Sequence, residues 1–264
     1  MVRRGFTLIE LVVVVAVLGL LMAVITPFLR ASRQKAKAVV CASNIRQLVI
    51  AVTAYSSNNG TAPHGFADSK IEPPGGFPGG LGYGKAGWWW FNYVGRFYDK
   101  KTDQEGLLCC PAKNLRDPKL KTNILCGNYG INQSISKSTS GDSSTEFVGR
   151  PLKIMDEIPK PSETLLVVDA GYELVNWWHA TTDPPVPLDS AFIENTSYVP
   201  GMKINCRKAI WPGQEHDAVG GRHPNRAVNI GFADGHVESR EADELLVEKR
   251  EQRHDNRVPL WSPK

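Results

Sequence analysis

The sequence predicts an α+β protein: one long N-terminal helix followed by a loop-rich head that contains strands. Three observations carry that prediction. Residues 6–29 are the one long apolar run in the chain. Beyond it, Cys41, Ile45, Leu48, Val52 and Tyr55 recur at intervals of four, three, four and three, which places them on one helical face. Near the C-terminus, Val228, Ile230 and Phe232 alternate ahead of Asp234-Gly235, the pattern of a strand entering a hairpin turn.

Composition narrows the function classes. With 264 residues, the chain accommodates one domain plus an appendage. Hydrophobic residues at 42% against 22% charged let most of it bury a core, which excludes wholly disordered, collagen-like and coiled-coil readings. A net charge of +4 with no long Lys/Arg block is too mild to argue for nucleic acid. A mean hydropathy of -0.26 with a single apolar run excludes a multi-span membrane protein.

The apolar run is the strongest signal. Its 24 residues make roughly 36 Å of helix, and a bilayer core of about 30 Å needs about 20 such residues. Arg3 and Arg4 precede it and favour a cytoplasmic N-terminus with an exported body. A cleaved secretory signal would have a shorter apolar region and a small-residue cleavage site, and Met22-Ala23-Val24-Ile25-Thr26-Pro27 is a poor match. Arg3-Arg4 hints at a twin-arginine signal, but the pair lies almost at the start and the run is long for that use. A plain anchor fits the length and leaves Glu10 unexplained, because a charge within an apolar span costs free energy and a lone anchor gains nothing from it.

Arg4-Gly5-Phe6-Thr7-Leu8-Ile9-Glu10 resembles the processing site of type IV prepilins. The resemblance implies cleavage after Gly5 by a prepilin peptidase/N-methyltransferase, which then methylates Phe6. It makes Glu10 the fifth residue of the mature chain, and Pro27 matches a proline common after the apolar core in that family. Charge supports the carry-over. The new amine on Phe6 stays cationic, so Glu10 can pair with the amine of a neighbouring subunit, and pairing turns a costly charge into a register-setting contact.

After Pro27 the pattern turns amphipathic. Arg30, Arg33, Lys35 and Lys37 form a basic collar, expected to face phospholipid headgroups. The Cys41–Tyr55 stripe follows, and Ser56-Ser57-Asn58-Asn59-Gly60 supplies C-cap residues. The chain therefore divides into a leader 1–5, an assembly helix 6–29, its amphipathic continuation 30–57, and a head 58–264 with a hairpin near 227–239. Pro27 is expected to kink the helix.

Within the head, residues 73–80 read as a Pro/Gly loop, and 134–146 and 180–190 as surface loops. Trp88-Trp89-Trp90 and Trp177-Trp178 are expected to pack under loops, with sugar or peptide stacking as the alternative. Thr164–Asp169 reads as a buried strand. A two-residue turn at Asp234-Gly235 would set Phe232 opposite Val237 on one core face, with Asp234 tolerating positive φ. The charged tail from Glu241 to Arg257 offers only a weak anchor in Leu245, Leu246 and Val258.

Arg222-His223 with Phe232-Ala233-Asp234-Gly235-His236-Val237 resembles the prepilin subgroup marked by a His-x9-Asp-Gly C-terminal signature. His223, Asp234 and Gly235 are its signature residues here. Ten residues rather than nine separate His223 from Asp234, and the extra one is assigned to a longer loop at Pro224-Asn225-Arg226. Cys41 with Asn44-Ile45-Arg46-Gln47-Leu48, Cys110-Pro111 and Asn128-Tyr129-Gly130-Ile131-Asn132 fit further landmarks of that subgroup. The resemblance implies the pilin-like form of the α+β class, with the helix packed on an antiparallel sheet. It also implies assembly with other pilin or pseudopilin subunits at the inner membrane, the head facing outward.

No nucleophile elbow, zinc-protease motif, Walker loop or dinucleotide fingerprint occurs. The expected role is therefore structural, with no enzyme activity, no cofactor and no nucleic acid. His216, His223, Asp234 and His236 lie close in sequence, along with Asp217, and are the weak candidates for a metal. Cys41, Cys109, Cys110, Cys126 and Cys206 are candidate disulfide formers in an exported head. Cys110–Cys126, or Cys41 with a head cysteine, are the pairings considered, with buried free thiols as the alternative. Two rival functions remain: a membrane-tethered binding protein using exposed tryptophans, and an anchored metalloenzyme centred on His216, His223 and His236.

Overall fold

The computed structural model describes residues 8–68, 87–95, 97, 106–141, 143–185, 197–251 and 253–262. Helix α1 runs from Leu8 to Asn59 without interruption at Pro27. Beside the proline, Thr26 Oγ1 donates to the Met22 carbonyl at 2.7 Å. The helix stops where Gly60 takes φ +80° and its N–H reaches Ser56 O at 2.8 Å, a glycine C-cap.

The two halves of α1 meet different surroundings. Residues 8–37 are exposed throughout, the basic collar included, whereas Cys41, Ile45, Leu48, Val49, Ala51, Val52 and Ser56 are buried. The predicted stripe is thus the packing face, with Tyr55 half-buried at its margin.

The head contains β1 (Phe66–Ala67), β2 (Trp88–Trp89), α2 (Trp90–Val94), α3 (Pro118–Thr122), β3 (Tyr129–Asn132), α4 (Ile154–Glu157), β4 (Leu165–Asp169) and β5 (Leu174–Val175). It continues with α5 (Glu215–Gly220), β6 (Ala227–Phe232), β7 (Val237–Glu241), β8 (Lys249–Arg250) and β9 (Arg253–His254). Five strands form the main sheet in the order β5-β3-β4-β6-β7. Its pairs are antiparallel except β3–β5, which is parallel with Ile131 opposite Leu174.

The sheet is covered on both faces. One face packs against α1, in a core with Ile45, Val49, Trp89, Trp90, Ile131 and Val167. The other face buries Val168, Val228, Ile230 and Phe232 with Leu245 and Trp261. The tail is therefore integral, not weakly anchored. Leu165 N–H donates to Leu260 O at 3.0 Å, and Leu260 N–H to Glu163 O at 2.8 Å. Trp261 Nε1 donates to Leu245 O at 2.9 Å. Single apolar residues spread through a charged segment have no period to betray them, but they suffice to close a sheet face.

The hairpin departs by one residue from the expected register. Gly231, not Phe232, lies opposite Val237, and Phe232 N–H donates to His236 O at 3.0 Å. The connection is a three-residue loop, Ala233-Asp234-Gly235, in which Gly235 carries φ +101° and Asp234 stays out of the left-handed region. A one-residue shift exchanges faces. Phe232 and Val237 accordingly point to opposite sides, and His236 stacks on the Phe232 ring at 4.2 Å.

Two expected surface loops are corrected as well. Ser134, Ile135, Ser136 and Ser138 are buried, because Ile135 joins the core beneath α1. Ala180 and Thr181 are buried while Thr182 and Asp183 are exposed. The 73–80 loop lies outside the described residues, as do 186–190.

Candidate functional site

Two regions carry candidate chemistry: the free half of α1, and the junction where the helix enters the head. Glu10 sits in the first turn of α1, followed by an apolar surface on which Leu8, Ile9, Leu20, Met22 and Phe28 are prominent. None of this apolar stretch is buried against the head, and it is long enough to cross a membrane. Soluble monomers rarely leave so large an apolar surface in water. Gly5 and Phe6 lie outside the described residues.

At the junction, the first buried residue of α1 is Cys41. Its Sγ stands 3.0 Å from Sγ of Cys110, which lies in the loop before α3. That loop is held by the Cys110 N–H, donating to Asn128 Oδ1 at 3.0 Å. One turn beyond Cys41, Asn44 Nδ2 donates to Tyr129 Oη at 3.1 Å. Asp169, the last residue of β4, lies at the same place: Cys41, Cys110, Asp169 and His223 present ligand atoms within 4.8 Å of one another, all four residues buried.

His223 is positioned by the turn after α5, where Gly221 takes φ +75°. Its Nε2 stands 3.1 Å from Asp169 Oδ2 and 3.1 Å from Asn229 Nδ2. Asn229 N–H donates to the same Asp169 oxygen at 2.8 Å. Burial opposes protonation of His223, but the adjacent Asp169 carboxylate outweighs it and raises the imidazole pKa. Burial, with the Cys41 contact, pushes the Cys110 thiol well up.

The signature residues therefore do not form one unit. His223 faces Asp169, while Asp234 accepts from His236 N–H at 3.1 Å and contacts His236 Nδ1 at 2.6 Å at the hairpin tip. The loop at Pro224–Arg226 contains two consecutive left-handed residues, Asn225 at φ 58° and Arg226 at φ 53°. His216 contacts Asn114 Nδ2 at 2.9 Å on the exposed surface. Among the described residues, His216, His223, Asp234 and His236 do not converge on one point, so neither the expected metal candidates nor a metalloenzyme centre on the three histidines is assembled.

The five cysteines are thiols: Cys41, Cys109, Cys110 and Cys126 buried, Cys206 exposed. Cys110 meets Cys41. Trp89, Trp90 and Trp178 are buried and Trp88 and Trp177 half-buried. Trp90 Nε1 donates to Glu173 Oε2 at 3.0 Å. Their stacking faces are engaged within the head.

Sequence reasoning missed Asp169 and the ion pair beside it. Arg222 is buried and donates to Asp217 Oδ2 at 2.7 Å and to the carbonyls of Asn128 and Ala170, each at 2.8 Å. Tyr198 Oη donates to Asp217 Oδ2 at 2.8 Å. The available signal was a carboxylate ending an otherwise apolar strand, since a buried acid needs partners.

Residues 1–26 match the family model described as the prokaryotic N-terminal methylation motif. The motif supports a type IV prepilin-like precursor, and the single apolar helix fits a single-pass, membrane-anchored protein. The comparisons with curated proteins and with solved structures found no match.

Proposed function

We propose that this chain is a prepilin-like structural subunit, cut after Gly5 and methylated at Phe6, that assembles into a type IV pilus or a type II secretion pseudopilus. The observation that carries the reading is the division of α1: the methylation motif leads into a half-helix whose whole apolar surface is exposed, while the second half is seated on the head. Before assembly the apolar half lies in the inner membrane, with the N-terminus cytoplasmic and the head outside. In the filament, neighbouring copies of the same half-helix replace lipid. Heterologous contacts of this kind build open helical arrays.

Glu10 sets the register by pairing with the methylated amine of Phe6 on a neighbour. The peptidase that cuts and methylates the chain is the processing partner, and other pilin or pseudopilin subunits are the assembly partners. Burial of Trp89, Trp90 and Trp178 counts against a tethered binding protein that uses those rings.

The test is the intact mass and N-terminal sequence of the protein from its native membrane. A chain beginning at N-methyl-Phe6 supports the reading. An uncut chain reduces the protein to an anchor, and a chain starting beyond Pro27 makes the segment a disposable signal.

A further inference from the structure

We propose that Cys41, Cys110, Asp169 and His223 bind one divalent cation of the zinc class, which clasps α1 to the head. The four residues come from four separate segments and are buried, and their ligand atoms lie within 4.8 Å of one another. Two thiolates, an imidazole and a carboxylate form a complete tetrahedral set of the mixed softness that zinc accepts.

The spacing is near that of a loaded site. With Zn–S bonds of about 2.3 Å and Zn–N/O bonds of about 2.0–2.1 Å, tetrahedral edges are about 3.8 Å for S–S and about 3.3 Å for N–O. The observed separations are 3.0 Å between the sulfurs and 3.1 Å between His223 Nε2 and Asp169 Oδ2. Loading requires the sulfurs to part by about 0.8 Å and the N–O edge to change little.

Polar accounting points the same way. Asp169 Oδ2 is occupied by the Asn229 N–H and His223, but the buried Oδ1 has no hydrogen-bond partner. An under-satisfied buried carboxylate is costly. One dication neutralises it, gives it a ligand bond, and holds the two sulfurs as thiolates, their protons passing to solvent. A Cys41–Cys110 disulfide accounts for the sulfurs alone. It leaves the buried Asp169 carboxylate as under-satisfied as before. Asn229 on the carboxylate and Asn128 on the Cys110 backbone are the outer contacts that orient ligands in such sites. With four protein ligands and full burial, the site is structural, not catalytic.

The experiment uses the full chain purified in detergent from membranes grown with zinc. Metal content by mass spectrometry is combined with intact mass after thiol alkylation in chelator and denaturant without reductant. Stoichiometric zinc, Cys41 and Cys110 both alkylated, and loss of the metal in Cys110→Ser and His223→Ala support the site. If those variants do not fold, cobalt(II) added to metal-stripped wild type decides. A thiolate-to-cobalt charge-transfer band with intense tetrahedral visible bands supports the site, and a weak octahedral spectrum overturns it. A Cys41–Cys110 cross-linked peptide without zinc overturns it too, as does zinc retained undiminished in folded variants. None of these outcomes depends on cleavage at Gly5, so this proposal and the filament reading fail separately.

Discussion

Gly231 of β6 lies directly beneath Ile45 of α1: a Cβ on Gly231 would stand 2.7 Å from Ile45 Cγ2 and would also collide with Val49 Cγ2. The helix rests on the sheet at a strand position that offers no side chain. Gly231→Ala must push the helix away or distort β6, and overpacking of this kind costs about 1–3 kcal/mol. Chemical denaturation should show that loss, and an unchanged midpoint would mean the junction is looser than described.

The Arg222–Asp217 pair is buried and fully hydrogen-bonded. Removing one partner leaves a buried charge without its counter-ion, at a cost of about 3–5 kcal/mol. Arg222→Met should therefore unfold at markedly lower denaturant than wild type. Adding Asp217→Asn should restore part of the loss, because the stranded charge is then gone.

Burial raises the Glu173 pKa well above that of an ordinary carboxylate, although Trp90 Nε1 donates to it. The folded state thus holds its proton more tightly than the unfolded chain. Its contribution is fully present below the unfolded pKa of about 4.3 and is lost as pH rises through the folded value. Glu173→Gln keeps an acceptor for Trp90 and does not ionise. Its melting temperature relative to wild type should climb as pH rises above about 4, and a constant difference across pH would rule out an ionisation effect.

Trp261 is buried against Leu245, and its carbonyl accepts from Asn132 Nδ2 at 2.7 Å. Trp261→Ala should cost about 3–5 kcal/mol, the usual range for deleting a large buried aromatic. Proteolysis of the variant should begin in the tail. A variant as resistant as wild type would contradict the tail's place in the core.

Two substitutions separate processing from assembly. Gly5→Leu should abolish the cut, read as an uncleaved mass. Glu10→Ala should leave membrane insertion intact and impair entry into filaments, read by fractionating sheared filaments from membranes. Normal incorporation of Glu10→Ala would remove the register role assigned to that carboxylate.

Much of the helix was legible because its signals are local. The apolar run is continuous and the Cys41–Val52 stripe is periodic, and both patterns survive whatever the rest of the chain does. The hairpin's existence was legible, but its register was not. Asp234-Gly235 fits either a two- or a three-residue loop, and the choice falls to the faces of β6. Gly231 must meet α1, which leaves Phe232 for the opposite core. The loop readings for 134–146 and 180–190 failed at Ser134–Ser136 and Ala180–Thr181 because polar composition does not prevent burial once side chains find partners.

The sequence by itself determined the apolar half-helix, the methylation motif and the amphipathic stripe, since each depends only on neighbours along the chain. The tertiary structure alone decided what His223 faces. Its sequence neighbour in the signature, Asp234, went to His236 at an exposed turn, while Asp169, 54 positions away, arrived from the next strand of the sheet. Strand order brings residues together across gaps that carry no periodic trace. The meeting of Cys41, Cys110, Asp169 and His223 is therefore a consequence of β4 pairing with β6 beneath α1.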